Sequence, residues 1–450
     1  MTILDDKEGT TLTEGKISKS IILFALPIFF GNLFQQLYNV VDSLVVGNVL
    51  GKEALAAVSS SASLIFLIVG FIHGIFMGAG VTISQYFGAK NDEDLTMAVH
   101  TTIAFAFLAG IMISLLGVGL SPWLLRLMGT PSDVLPQAIT YLRLYFAGSM
   151  AIVMYNACMG IFQAVGDSRR PLYYLIIAAV LNVILDILFV VVLDFGIGGV
   201  AVATIISQFT SAIIAFTKLT RINSNYKIFI KKIKIHTDTL KKLLKIGLPT
   251  GVQNSMIAFA NVIVQANINQ FGAIAMAGNG SYTKIEGFAF MPIISFSVAL
   301  TTFIGQNLGA KKYERVESGV RFGLISGVAM SQVVGIIIWI LAPYLIALFN
   351  SDPGVIEQGV MRAKIIAPFY FLLATTHCIS GILRGAGKTY VPMIIMLVSW
   401  FLIRISYITI MVNIIPDIRV VHWAYPLTWF ISSAALIIYY KKSDWMVEFV

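Results

Sequence analysis

The chain has 450 residues, 58% of them hydrophobic and only 12% charged, with a mean hydropathy of +0.86. Water-soluble domains carry about twice that charged share, so this composition excludes a soluble globular fold and requires lipid to cover much of the surface. The net charge of +9 would suit a nucleic-acid binder, but the basic residues are gathered in loops in a pattern that points elsewhere.

The first sixteen residues are polar and mixed in charge, with no basic stretch leading into a short apolar core, so no cleaved signal peptide is expected. Apolar stretches of about 20 residues follow, the length that crosses hydrocarbon. They begin near Ile17, Leu55, Met97, Ala138, Leu172, Gly198, Leu243, Ala277, Val320, Met361, Val391 and His422. The stretches are continuous and lack the ten-residue alternation of barrel strands, which predicts an all-α polytopic membrane protein of twelve transmembrane helices. The two cysteines, Cys158 and Cys378, fall inside apolar stretches and form no CxxC pair. The five histidines lack metal-ligand spacing. A disulfide framework and a zinc site are therefore not expected.

Twelve spans put both termini on one side. That side takes most of the Lys and Arg, nine of them between Lys218 and Lys245. The positive-inside rule then predicts cytoplasmic termini, with the basic loop facing anionic lipid headgroups rather than nucleic acid.

The halves repeat. Ile83-Ser-Gln-Tyr-Phe-Gly-Ala-Lys90 matches Ile304-Gly-Gln-Asn-Leu-Gly-Ala-Lys311 at a shift of 221, and Gly166 and Pro171 fall on Gly387 and Pro392 at the same shift. Leu26-Pro27 falls on Leu248-Pro249 with one residue gained or lost nearby. Six helices per half make the repeats parallel, about an axis along the membrane normal. The expected organisation is a cytoplasmic segment 1–16, an N-terminal lobe 17–219, a basic cytoplasmic linker 220–242, a C-terminal lobe 243–440 and a cytoplasmic tail 441–450. Two such bundles suit a transporter that rocks about a solute path.

Polar groups inside spans carry the functional reading, because a charge at the bilayer centre costs roughly 2.5–3.5 kcal/mol on insertion scales. Gln35, Tyr38 and Asp42 share one face of the first helix, and Asn32, Gln36 and Asn39 form an adjoining stripe. Asn182 and Asp186 are four apart in the fifth helix; Thr204, Gln208 and Ser211 repeat in the sixth. Oxygen donors from three helices suit a small hard cation such as Na⁺, and a buried carboxyl equally suits a proton carrier. The alternative is that these groups only bond helices to one another. The second half has no acidic equivalent: Asp186 maps to Tyr407 and Asn182 to Ile403. It has Lys284, Glu286 and Arg404 instead. Lys284 and Glu286, two apart, do not share a helix face. Glu286 either faces a cavity or pairs with Arg404. His73 and His377 are expected to be packed polar groups. Pro27, Pro249, Pro292 and Pro368 lie inside spans and permit bending.

Taken in order, several blocks resemble the multidrug and toxic-compound extrusion family, the MATE transporters, over nearly all of the chain. They are Leu26-Pro27, Tyr38-Asn-Val-Val-Asp42, Gly51 with Ala54-Leu-Ala56, and Gln85-x-x-Gly88-Ala89. Gln163-Ala-Val-Gly166-Asp167-Ser168-x-x-Pro171, Leu181-Asn182-x-x-Leu185-Asp186 and Gln306-x-x-Gly309-Ala310 complete the set. The resemblance implies a V-shaped pair of six-helix lobes in the plasma (inner) membrane of a prokaryote, exporting amphipathic, often cationic, compounds in exchange for Na⁺ or H⁺. One branch of the family holds its cation with an Asp in the first helix, an Asn and Asp four apart in the fifth and a Thr in the sixth. The matching positions here are Asp42, Asn182, Asp186 and Thr204. Another branch uses acidic residues in its seventh and tenth helices, and the spans above contain none there. Gln35, Tyr38, Asn39, Gln208, Glu286 and Arg404 remain as solute or cavity candidates. No cofactor beyond the coupling ion is expected, the partners are a small solute and the bilayer, and a monomer suffices because both lobes lie in one chain. A flippase for a lipid-linked precursor is the runner-up, with thin support from Arg143, Lys284 and Arg404. An enzyme is not expected, since no HExxH, GxSxG or paired-Asp motif is present.

Overall fold

The computed structural model describes residues 12–446; residues 1–11 and 447–450, which hold most of the polar N-terminal segment and the end of the tail, lie outside the described residues. Twelve helical rods follow one another and no strand occurs among the described residues. They are α1 (Ile17–Leu50), α2 (Gly51–Gly88), α3 (Asp92–Leu127), α4 (Leu135–Ala147 and Ser149–Ala164), α5 (Arg169–Val192) and α6 (Gly196–Arg221). The second set is α7 (Thr237–Asn269), α8 (Ala273–Gly309), α9 (Tyr313–Ala347), α10 (Pro353–Gly385), α11 (Tyr390–Ile414) and α12 (Ile418–Lys442). Ten are long and apolar enough to cross a bilayer, and α4 is an eleventh when its two pieces, bent by 47°, count as one span. The 33 residues of α7 reach about 50 Å at 1.5 Å per residue, though Gln253, Asn254, Asn261 and Gln265 interrupt its apolar run.

The helices begin up to eight residues before the predicted starts. Apolar content marks the middle of a span, whereas the helix itself runs on into polar ends fixed by caps. Asn91 accepts from the Asp94 N–H ahead of α3, Asp352 from the Gly354 and Val355 N–H groups ahead of α10, and Asp417 from the Arg419 N–H ahead of α12. Two corrections follow. Arg362, beside the expected span start at Met361, lies well inside α10 and is buried. The longer α7 and α10 also take in Asp238 and Glu357 near their starts.

The duplication is visible in the backbone. Left-handed residues recur at the shift of 221: Gly51 (φ 85°) and Gly272 (φ 88°), Lys90 (φ 55°) and Lys311 (φ 57°), Gly166 (φ 86°) and Gly387 (φ 79°). The lysines turn the chain after Gln-x-x-Gly-Ala in each half, in a conformation that side chains with a Cβ adopt at a cost. By packing, the chain divides into two compact units, one of Phe30–Leu248 and one of Leu12–Phe29 with the chain from Pro249 onward. The boundaries thus fall inside α1 and α7, next to the two repeat-related prolines Pro27 and Pro249.

Each unit has its own core. In the first, Ile83, Leu95, Ile103, Cys158, Phe162 and Tyr226 are buried together. In the second, Tyr282, Tyr370, Trp400, Trp429 and Ile366 do the same. Outward faces stay apolar: Phe107, Leu108, Met112 and Leu115 of α3, and Ile325, Val333, Ile336 and Ile340 of α9, are all exposed, as lipid contact requires. Glycines let helices meet closely. A Cβ on Gly381 or Gly385 of α10 would lie 2.5 Å from the Ser297 or Thr301 carbonyl oxygen of α8, the small-residue contact that membrane helices favour.

Candidate functional site

In the first unit, α1, α5 and α6 bring four polar side chains together. The Asn182 amide satisfies its neighbours in one orientation: its nitrogen donates to Asp186 Oδ2 at 2.9 Å and its oxygen accepts from the Thr204 N–H at 3.2 Å. Helical spacing of four places Asn182 and Asp186 on one face, and both are buried with Thr204. The Asp42 and Asp186 carboxyls are close enough to act directly on each other. The buried Oδ1 atom of each has no hydrogen-bond partner. Thr204 Oγ1 donates to the Val200 carbonyl at 3.0 Å, and Tyr38 Oη lies 3.5 Å from it.

Two ionised carboxylates in contact repel, and in a low-dielectric setting the repulsion is strong. The arrangement is suited to a cation, or to a proton, that neutralises the pair. The carboxyl oxygens and the Thr204 hydroxyl are the ligand type that hard cations take, while the Asn182 amide nitrogen holds Asp186. Locally, α1 and α5 both open into a wide π turn beside their carboxylates, at Val46–Leu50 and Ile187–Val192, a feature frequent at functional sites.

A small pocket opens next to the pair, lined by Gln35, Tyr38, Asn182, Ser207 and Gln208 with Leu175. Three solute candidates, Gln35, Tyr38 and Gln208, therefore meet there. Asn39 is held differently: its Oδ1 accepts from Gln35 Nε2 at 3.4 Å and its carbonyl from Ser43 Oγ at 2.8 Å. Sequence reasoning passed over Tyr141, which stands close to Asp42, Asp186 and Tyr38. Its signal was faint, an aromatic in an apolar helix.

Glu286 and Arg404 belong to a separate buried cluster in the second unit. Glu286 Oε2 accepts from Arg362 Nη2 at 2.9 Å, so its partner is Arg362 and not Arg404. Glu286 Oε1 has no partner. Arg404 Nε and Nη2 both donate to Thr428 Oγ1, at 3.1 and 2.8 Å. The Arg404 guanidinium lies over the rings of Tyr425 (4.5 Å) and Trp400 (5.3 Å). Arg362 lies over Tyr282 (4.8 Å) and Tyr425 (5.4 Å), and donates to Asn279 Oδ1 and to Thr283 Oγ1. Lys284 points to the Phe349 ring (5.3 Å), away from its neighbour Glu286. The histidines are packed: His73 Nδ1 lies 3.2 Å from Asn156 Oδ1, and His377 lies against Trp400.

Fold and site together define a class: a multi-spanning helical membrane protein built of two repeated halves, with a buried polar site in the first. The MatE family model matches residues 27–188 and again 249–410, and the chain belongs to that family. It is 30% identical over 441 residues to the "Probable multidrug resistance protein YpnP" of Bacillus subtilis, covering 96% of this chain and 97% of that one. It is 30% identical over 409 residues to the "Probable multidrug resistance protein NorM" of Thermotoga maritima, covering 88% and 86%. Among solved structures, an outward-facing multidrug resistance MATE family transporter superposes with a TM-score of 0.90 at 22% identity, over 97% and 98% of the two chains.

Proposed function

We propose that this protein exports amphipathic, often cationic, compounds by alternating access, in exchange for Na⁺ or H⁺ bound at Asp42, Asn182, Asp186 and Thr204. The observation that carries the reading is the buried contact of the Asp42 and Asp186 carboxyls, closed by Asn182 and Thr204. Family membership and the multidrug names of the relatives support export of this solute class. No relative named above favours the lipid-precursor flippase.

Cation entry between the two carboxylates relieves their repulsion, so occupancy changes the relative stability of the states in which the site forms. A ligand shifts such an equilibrium only by its differential affinity for the two states. A membrane potential of 100 mV contributes about 2.3 kcal/mol per charge moved. The solute enters beside this site, in the pocket of Gln35, Tyr38 and Gln208. The protein is placed in the cytoplasmic membrane with both termini inside, on the distribution of its Lys and Arg.

Proteoliposomes loaded with ethidium test the reading, with Na⁺ and pH gradients imposed separately. The expected outcome is gradient-driven efflux from wild type that Asp42→Asn and Asp186→Asn each abolish, the effective gradient naming the coupling ion. Undiminished efflux from both variants would show that coupling lies elsewhere.

A further inference from the structure

The shift of 221 residues aligns the helix starts of the two halves, for instance Asp92 with Tyr313, Ser149 with Tyr370 and Arg169 with Tyr390. Residues of the first-half site therefore have counterparts. Arg362 stands where the first half has Tyr141, Tyr425 where it has Thr204, and Arg404 directly follows Ile403, the counterpart of Asn182. Where one half gathers two carboxyls, the other gathers two guanidiniums and a single carboxylate.

Glu286 neutralises Arg362. Arg404 is left with the Thr428 hydroxyl and two aromatic faces; among the described residues Glu286 is the carboxylate that acts on it, and that group is already paired with Arg362. Both arginines are 2% exposed. The buried Arg362 Nε and His422 Nδ1 have no hydrogen-bond partner. Ionised, the three charged groups leave one net positive charge in the interior. Aromatic faces and a neutral hydroxyl soften that charge without cancelling it, and burying an uncompensated charge is costly. A guanidinium N–H without an acceptor adds to the cost. One negative ligand removes both penalties at once.

We propose that this cluster is an anion site, taking one small monovalent anion against the Arg404 guanidinium and the Arg362 Nε–H. The anion is chloride or the carboxylate group of a solute. The two halves of the duplicated chain then present sites of opposite charge preference. The proposal concerns binding alone and stands apart from cation coupling, since it is measured without any gradient.

Trp400, stacked on Arg404, supplies the probe. Purified full-length protein in detergent, held at constant ionic strength with sulfate, is titrated with chloride and with acetate while tryptophan fluorescence is followed. A saturable change is expected, and it is lost in Trp400→Phe. Arg404→Gln weakens binding at least about ten-fold, Arg404→Lys retains part of it, and Glu286→Gln strengthens it by removing the competing negative charge. Response to chloride alone identifies an inorganic ion; response to acetate identifies a carboxylate. Melting of the wild type provides a second readout, since a ligand of the folded state raises the melting temperature. No saturable response and no stabilisation by either anion overturns the proposal. So does an unchanged affinity in folded Arg404→Gln, or an affinity that falls in Glu286→Gln.

Discussion

Among single residues, the Asp42 and Asp186 pair depends on neighbours that hold it in place. Tyr38 Oη reaches Thr204 Oγ1 at 3.5 Å from the same helix that carries Asp42. Tyr38→Phe deletes that contact and keeps the ring. A neutral hydrogen bond is worth about 1 kcal/mol, so under the proposed coupling the ion concentration for half-maximal efflux should rise about five-fold while the maximal rate holds. A fall in the maximal rate at unchanged ion dependence would place Tyr38 in solute handling instead. The faces of α1, α5 and α6 were legible in sequence because polar residues at spacings of three and four inside apolar runs have few explanations. The Glu286–Arg362 pair was not legible. The partners are 76 residues apart, and Arg362 sits near the start of a span whose capped first turns are polar and so resemble a loop.

At the scale of the element, close helix contacts and caps set stability. Gly381 and Gly385 bring α10 onto α8, and the obstacles a Cβ would meet are backbone oxygens, which cannot swing aside. The same contact is fastened by Thr301 Oγ1 donating to the Gly381 carbonyl at 3.0 Å and by Arg384 donating to Ser297 and Thr301 hydroxyls. Gly381→Val should lower the melting temperature by several degrees in detergent, with a loss of about 1–3 kcal/mol as in other overpacked cores; Gly280→Val, where a Cβ meets nothing within 4 Å, is the matched control. The cap at Asp417 also has a pH dependence. The Arg419 side chain and N–H hold its carboxyl below the usual carboxylate range. A depressed carboxyl stabilises above its unfolded pKa and is lost as pH falls through the folded one, so the cap persists at neutral pH and fails only in acid. Asp417→Ala should cost about 1 kcal/mol at pH 7, and the difference from wild type should vanish well below pH 4, near which a free Asp titrates. Helix order was readable from the recurrence of apolar stretches long enough to cross hydrocarbon, with α7, whose apolar run polar residues interrupt, the weakest of them. The ends were not, because caps lie in polar sequence that looks like loop.

For the whole molecule, the sequence repeat and the packing units do not share boundaries. The repeat puts α1 wholly in one half, whereas packing divides it after Phe29. Periodicity in sequence records descent from one ancestral half, and packing records which surfaces now touch. The chain just ahead of α1 is tied to the second unit in detail. Gln306 Oε1 accepts from the Leu12 N–H at 2.9 Å, and Arg315 donates to the carbonyls of Leu12, Glu14 and Gly15. Arg315→Ala should raise hydrogen exchange in residues 12–20 by at least about ten-fold, since several charged hydrogen bonds are lost together; exchange unchanged there would mean that the Gln306, Asn307 and Lys312 bonds and the buried Leu12 side chain hold the segment without Arg315.

That tie also sets a timetable for making the protein. Leu12 and Gln306 are 294 residues apart. At roughly 5–20 residues per second of synthesis, about 15–60 s pass between the emergence of the one and of the other. The leading half of α1 thus reaches the membrane well before the later residues it packs against are made. Through that interval it rests against lipid or the insertion machinery, and any pause in translation before Gln306 lengthens the wait.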